Sequence, residues 1–130
     1  MEQKYTVAIV GSGPAGLSAA SRAAAAGVPH ILLEKSPQLS NTIFKYQKGK
    51  LVMATPEVLP LRSELSFQMG IREEILGAWD RETAKLKVNV QKQADVTGIT
   101  GSKGDFVITL AGGDTVKAGN AVFAIGLQGN

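Results

Sequence analysis

The run VAIVGSGPAGLSAA, residues 7–20, places Gly11, Gly13 and Gly16 directly between an uninterrupted apolar stretch and an alanine-rich one. Glycines at that spacing arise by chance in many loops, so the setting carries the information. Residues 5–10, YTVAIV, are apolar and β-branched without alternation, the pattern of a strand covered on both faces in a parallel sheet. From Pro14 to Ala26 the chain reads as a helix. Pro14 suits the first helical position, where its missing N–H costs nothing, and Gly27 suits the end with Pro29 just beyond. HILLE, residues 30–34, is a second buried strand that ends on an acid. Residues 5–34 therefore form one strand–helix–strand unit with the glycines on its first turn.

Each glycine has its own task on such a turn. Gly11 allows the tight bend, Gly13 has no side chain to block a pyrophosphate, and Gly16 lets helix and strand approach. The first turn of the helix exposes unpaired N–H groups at the positive end of its dipole and so attracts an anion. Pro14 offers no donor, which leaves Ser12, Gly13, Ala15 and Gly16 as the sources. Glu34 follows Gly16 by 18 residues, where its carboxylate can accept hydrogen bonds from the ribose hydroxyls of an adenosine. A 2′-phosphate at that point would meet a like charge, which disfavours an NADP-type ligand in this seat despite the adjacent Lys35.

The rest of the chain reads less regularly at first. Between Ser36 and Phe67, prolines 37, 56 and 60 argue against a long helix, and the segment is expected to be mostly irregular, with LVMAT as a short extended piece and Thr55 able to cap a single turn at Pro56. In GIREEILGAWDRETAKL, residues 70–86, Ile71, Ile75, Leu76 and Trp79 recur at helical spacing, which predicts a helix lying on the sheet with Trp79 in the core. After it the period changes to two. LKVNVQKQ reads as one more sheet strand, and DVTGIT, DFVITLA and DTVKA, separated by the Gly-rich turns GSKG and AGGD, read as an antiparallel meander. NAVFAIG is again continuously apolar and is placed back in the central sheet as a separate strand.

Length and composition bound the possibilities. At 130 residues, with 44% hydrophobic and 19% charged side chains, the chain is one domain able to bury a core without staples. It has no cysteine, which removes disulfides, thiolate metal sites and dithiol redox chemistry, and fits a reducing cytoplasm. Fourteen basic residues against eleven acidic ones give a scattered excess of +3, with Lys45, Lys48, Lys50 and Arg62 as the one loose basic stretch. Phosphate backbone needs a concentrated stripe, so a nucleic-acid partner is not expected. No apolar run approaches the roughly twenty residues of a spanning helix, and the one after MEQKY is too short for a signal peptide, so no membrane partner is expected either.

In these residues the sequence resembles the flavin-binding module of the two-dinucleotide-binding-domain flavoproteins, the group containing thioredoxin reductase and the bacillithiol-disulfide-reductase-like enzymes. VAIVGSGPAGLSAA with LLEK resembles the family's FAD fingerprint, and GDTVKAGNAVFAIG resembles the strand whose Ala-x-Gly end lies beside the flavin. The resemblance spans essentially the whole chain. It implies an α/β, Rossmann-like FAD-binding domain, a central parallel sheet carrying an antiparallel β-meander. It also implies FAD as cofactor, with NAD(P)H expected in the full-length enzyme. The implied cofactor contacts are Gly11, Ser12, Gly13, Pro14, Ala15, Gly16, Leu33, Glu34 and Lys35 at the seat. Val96, in the ADV stretch 94–96, would pack on the adenine through its backbone. Ala124, Ile125 and Gly126 would lie by the flavin, and NTIFKY, 41–46, would run along the isoalloxazine with Thr42 and Ile43 as contacts.

Two departures narrow what carries over. The cysteine pair that glutathione-reductase-like relatives hold in the region of NTIFKYQKGK is absent, so thiol chemistry does not reside in these residues. The late Gly-Asp strand that would meet the flavin ribityl chain is absent too, and the sequence reads as the amino-terminal part, residues 1–130, of a longer flavoenzyme. On its own the chain is expected to hold FAD weakly, and an exposed sheet edge would allow homo-oligomers. No residue stands out as a general acid or base. His30 reads as a core or turn residue, Ser12 and Ser18 have no nucleophilic triad around them, and no cluster has metal-ligand spacing. The leading reading is thus a portion of an FAD-dependent oxidoreductase. A non-catalytic nucleotide-binding or regulatory module with the same seat, and an NAD-binding dehydrogenase domain, stay open beside it.

Overall fold

The apolar run that opens the chain becomes the strand next to the middle of a six-stranded sheet. The computed structural model describes residues 4–37, 39, 49, 51–52 and 70–125. Strand β1, Lys4–Val10, pairs in parallel with β2, His30–Leu33, on one side and with β8, Thr115–Phe123, on the other. The sheet order is β5-β2-β1-β8-β7-β6, in which β5 is Val90–Gln91, β6 is Val96–Ser102 and β7 is Asp105–Leu110. β5 joins β2 in parallel, whereas β6, β7 and the first half of β8 form the antiparallel meander. The fold is thus the expected α/β architecture, a mostly parallel sheet carrying an antiparallel part. Strands β3, Leu51–Val52, and β4, Gly70–Ile71, form a separate antiparallel pair.

Alternation along β1 and β2 explains why both runs are apolar without a break. Ala8, Val10, Ile31 and Leu33 face one side, where they join Ala94, Ile108, Leu110, Val116 and Ala118. Ile9 and Leu32 face the other side and pack under helix α1, Pro14–Ala25, and helix α2, Arg72–Leu86, through Leu17, Ala20, Ile75 and Trp79. Both faces are covered over Ala8–Val10 and His30–Leu33, so a polar residue there would be buried. Trp79 is in the core as the helical spacing predicts, and the Thr83 hydroxyl donates to its backbone carbonyl at 2.9 Å. Among the described residues no helix is long and apolar enough to cross a membrane.

Several boundaries differ from the sequence reading. DTVKA and NAVF are one continuous nine-residue strand, β8, not two. Thr115–Ala118 pairs with β7 and Lys117–Phe123 with β1, so the strand belongs to meander and central sheet together. The mixed pattern of Lys117, Gly119 and Asn120 inside it conceals that continuity, because one face there is only partly covered. The end of β8 is not buried on both faces: Val122 and Phe123 are exposed, as is Ile125 just past it. Of LKVNVQKQ only two residues pair, and Ile71, expected on the buried face of the helix, is an exposed residue at the cap of α2. There its N–H donates to the Glu74 carboxylate at 3.2 Å. The turn at Thr55–Pro56 lies outside the described residues, as does the basic stretch of Lys45, Lys48, Lys50 and Arg62.

His30 shows what the sole histidine does. Its Nε2 lies 3.0 Å from the Asn89 backbone nitrogen, which can only donate, so Nε2 accepts and Nδ1 carries the proton it gives to the Val28 carbonyl at 2.9 Å. The ring therefore clasps the entry of β2 to the entry of β5. His30→Ala should leave the Asn89 N–H without this acceptor and lower unfolding stability by about 1–3 kcal/mol, read from urea denaturation. On α2, Glu73 accepts the Gly49 N–H through both carboxylate oxygens, at 2.8 and 3.1 Å, and this bond above all holds its carboxyl below the ordinary glutamate range, with Arg72 adding to it. A depressed carboxyl stabilises the folded form above its unfolded-state value, and the gain is lost as pH falls through the folded one. A 13C NMR titration of the Glu73 carboxyl should therefore show a midpoint below that of an unfolded glutamate.

Candidate functional site

At the carboxyl ends of β1, β2 and β8 the chain turns from strand to helix, and the three glycines separate by function. Gly11 has φ +103°, and a Cβ placed on it would come within 2.3 Å of the Ala124 carbonyl oxygen. A Cβ on Gly16 would lie 1.7 Å from the Gly11 carbonyl oxygen. Both positions are closed to any side chain by the protein's own backbone. Gly13 is different. Its φ of −70° and ψ of −171° suit any L-residue, and a Cβ there meets nothing within 4 Å. The fold has no need of a glycine at 13, so the room it leaves is open to a group from outside.

The first turn of α1 borders that room. Gly13 caps the helix with its carbonyl, which accepts the Leu17 N–H at 2.9 Å, and Pro14 follows at the first helical position with its ring exposed. Among the described residues no protein acceptor takes the N–H groups of Gly13, Ala15 or Gly16. α1 has no acidic residue in its first turn and no side-chain cap. No acid of α1 itself thus answers the positive end of its dipole, and an anion in the space beside Gly13 would do so.

Glu34 stands next to this turn with its side chain directed at it. Only 8% of the residue is accessible, and a buried carboxylate must be hydrogen-bonded to be tolerated. Ser12 gives it two donors on one oxygen: the backbone N–H reaches Oε1 at 3.0 Å and the hydroxyl reaches the same atom at 2.5 Å. The Ser36 N–H reaches Oε2 at 2.7 Å. Backbone pairing fixes the residue in turn, since the Glu34 N–H donates to the Gln91 carbonyl and its own carbonyl accepts the Ala94 N–H at 2.7 Å. The Ser12 N–H, expected among the anion donors, is therefore committed to Glu34.

The other sequence-derived residues divide into three groups. Gly11, Ser12, Gly13, Pro14, Ala15, Gly16 and Glu34 gather at one corner, with Ala124 against the turn: its N–H donates to the Val10 carbonyl, and its Cβ lies 3.5 Å from the position of a Cβ on Gly16. Ile125 follows, half exposed, and Lys35 is exposed beside Glu34. Leu33 is 1% exposed in the core, and its carbonyl takes the Gly11 N–H at 2.9 Å, so it builds the corner rather than lining it. The Val96 side chain packs on the same core, which leaves its backbone as the part able to meet a ligand; the Ala94 bond to Glu34 holds that stretch alongside the corner. Thr42, Ile43 and Gly126 lie outside the described residues. Sequence reading passes over Ser36, and understandably so, because its contribution is a backbone N–H that no residue type announces.

Comparisons with known proteins fit this geometry. Residues 5–130 match the family described as pyridine nucleotide-disulphide oxidoreductase. A ferredoxin–NADP reductase of Lactiplantibacillus plantarum is 26% identical over 126 residues, covering 97% of this chain and 35% of that protein. Among solved structures, the bacillithiol disulfide reductase of Bacillus cereus is similar at a TM-score of 0.76 and 25% identity, over 95% of this chain and 40% of that one. The thioredoxin reductase of Lactococcus lactis, at 21% identity and a TM-score of 0.74 over 97% of this chain and 37% of that one, has the same fold. The chain thus spans little more than a third of the length of these relatives.

The division among the glycines has a measurable consequence. Gly16→Ala drives a methyl into backbone and should lower unfolding stability by at least about 3 kcal/mol, whereas Gly13→Ala should stay within about 1 kcal/mol of the parent. Thermal melts of the two variants side by side decide it.

Proposed function

The chain belongs to the pyridine nucleotide-disulphide oxidoreductase family, and on that premise we propose that it is the FAD-binding portion of an FAD-dependent NAD(P)H oxidoreductase. The observation that carries this reading is the open space at Gly13, a glycine the fold itself does not require, set against N–H groups that find no acceptor among the described residues, on a helix without a side-chain cap. The pyrophosphate of FAD fits there. The N–H groups of Gly13, Ala15 and Gly16 would hold its oxygens, Glu34 the adenosine ribose, and the backbone near Val96 the adenine. The strand end at Ala124 and Ile125 would lie on the flavin side; Gly126 and Thr42, which the family resemblance adds, lie outside the described residues.

When bound, FAD supplies two-electron chemistry, taking hydride from NAD(P)H and passing electrons to an acceptor. This chain's own residues bind and orient; none of them is assigned a proton-transfer role. The share of the relatives' length that the chain covers supports reading residues 1–130 as the amino-terminal part of a longer flavoenzyme. A cysteine-free composition supports a cytoplasmic setting.

The test is ligand-dependent melting with FAD, ADP and NAD added separately. FAD and ADP should raise the melting temperature at concentrations where NAD does little. A larger shift with NAD would favour a dehydrogenase-type nucleotide site instead. Gly13→Val should abolish the ADP-induced shift by filling the space for pyrophosphate, with the ligand-free melt nearly unchanged. Glu34→Ala should weaken ADP binding by about 1.5–3 kcal/mol, the value of one hydrogen bond to a charged group. That variant should also melt lower without ligand, because the Ser12 and Ser36 donors lose their acceptor.

A further inference from the structure

Resting on the nucleotide reading above, we infer that Ser12 is a specificity-determining positioning residue whose hydroxyl closes one oxygen of Glu34, so that the carboxylate recognises a single ribose hydroxyl rather than the vicinal pair. A carboxylate offers roughly four lone-pair sites, two on each oxygen. Oε1 accepts both the N–H and the hydroxyl of Ser12 and is filled. Oε2 accepts the Ser36 N–H and keeps one site. Donors among the described residues therefore leave one acceptor position for a ligand, and it is on Oε2.

The two Ser12 donors are not equivalent. The backbone N–H is present whatever residue stands at 12, and it fixes the direction of the carboxylate. The hydroxyl is a property of serine alone. Alanine or glycine at this position would keep the aim of Glu34 and return one lone pair on Oε1 to the ligand. Ser12 is 1% exposed and its hydroxyl sits inside the corner, so water does not compete readily for that bond. Discrimination follows from geometry. A ligand that brings one donor to Oε2 is fully matched, and a second adjacent hydroxyl finds no acceptor on Glu34.

The experiment uses the chain as it stands and three probes, ADP, 2′-deoxy-ADP and 3′-deoxy-ADP, titrated by calorimetry. In the parent protein one deoxy analogue should bind about fivefold or more weaker than ADP, while the other stays within about twofold. In Ser12→Ala, and equally in Ser12→Gly, ADP should bind severalfold tighter and both analogues should fall below it. A merely structural role for Ser12 would lower affinity for all three probes alike and leave their ratios unchanged. Equal losses for both analogues in the parent protein, or ratios that the Ser12 variants do not alter, overturn the inference while leaving the nucleotide site in place. Failure of ADP itself to bind the parent overturns both.

Discussion

Where β1 ends, three stretches of backbone meet with no side chain between them. The Gly11 carbonyl lies against the Cα of Gly16, and the Ala124 carbonyl lies against the Cα of Gly11. This contact seats α1 on the sheet, aims its first turn past the ends of the strands, and sets β8 beside β1 in register up to Val10 and Phe123. Everything else at the corner follows from it. Packing of that kind admits no compromise by side-chain rearrangement, because backbone atoms cannot adopt another rotamer. The rigidity of this contact is thus a consequence of having backbone on both sides of it.

A rigid corner would be of little use if its charged group were free to wander. Burying a carboxylate without partners is prohibitively unfavourable, so the protein supplies Glu34 with donors from two loops, Ser12 on one side and Ser36 on the other. Those donors come from the segments that the glycine contact and the β2–β5 pairing already hold. The carboxylate is consequently aimed before any ligand arrives, and binding need not bear the cost of ordering it. The same bonds limit what the group can still accept, which makes orientation and selectivity two results of one arrangement.

Much of this is legible in the chain itself, for identifiable reasons. The strand–helix–strand unit can be read because both faces of β1 and β2 are covered, so their apolar runs have no polar interruption, and because Pro14 and Gly27 punctuate the helix. Trp79 is readable because α2 keeps a helical stripe. The tie between β8 and both of its neighbours is not. Its middle residues are chosen by two different environments, and the pattern of either alone breaks at Gly119. The corner shows the same contrast. Glu34 can be found from its spacing, whereas the donors that surround it include backbone N–H groups, which every residue but proline possesses and no sequence marks. The distinct standing of Gly13 among three glycines is likewise invisible without coordinates, since only neighbouring atoms reveal which of them the backbone demands.

The double membership of β8 limits how the chain can drift in length. A strand slipped by one residue turns each side chain to the opposite face, so a one-residue insertion in β8 would break its register with β7 within Thr115–Ala118 or with β1 within Lys117–Phe123, and Lys117 and Ala118 belong to both. The hairpin tip at Lys103–Gly104, where β6 turns into β7, is itself tied to both strands: the Gly104 N–H donates to the Gly119 carbonyl of β8 at 3.1 Å, and the Gly104 carbonyl accepts from Lys4 Nζ of β1 at 2.9 Å. Divergent members of this lineage should therefore keep a constant count of residues in the stretch running into the corner.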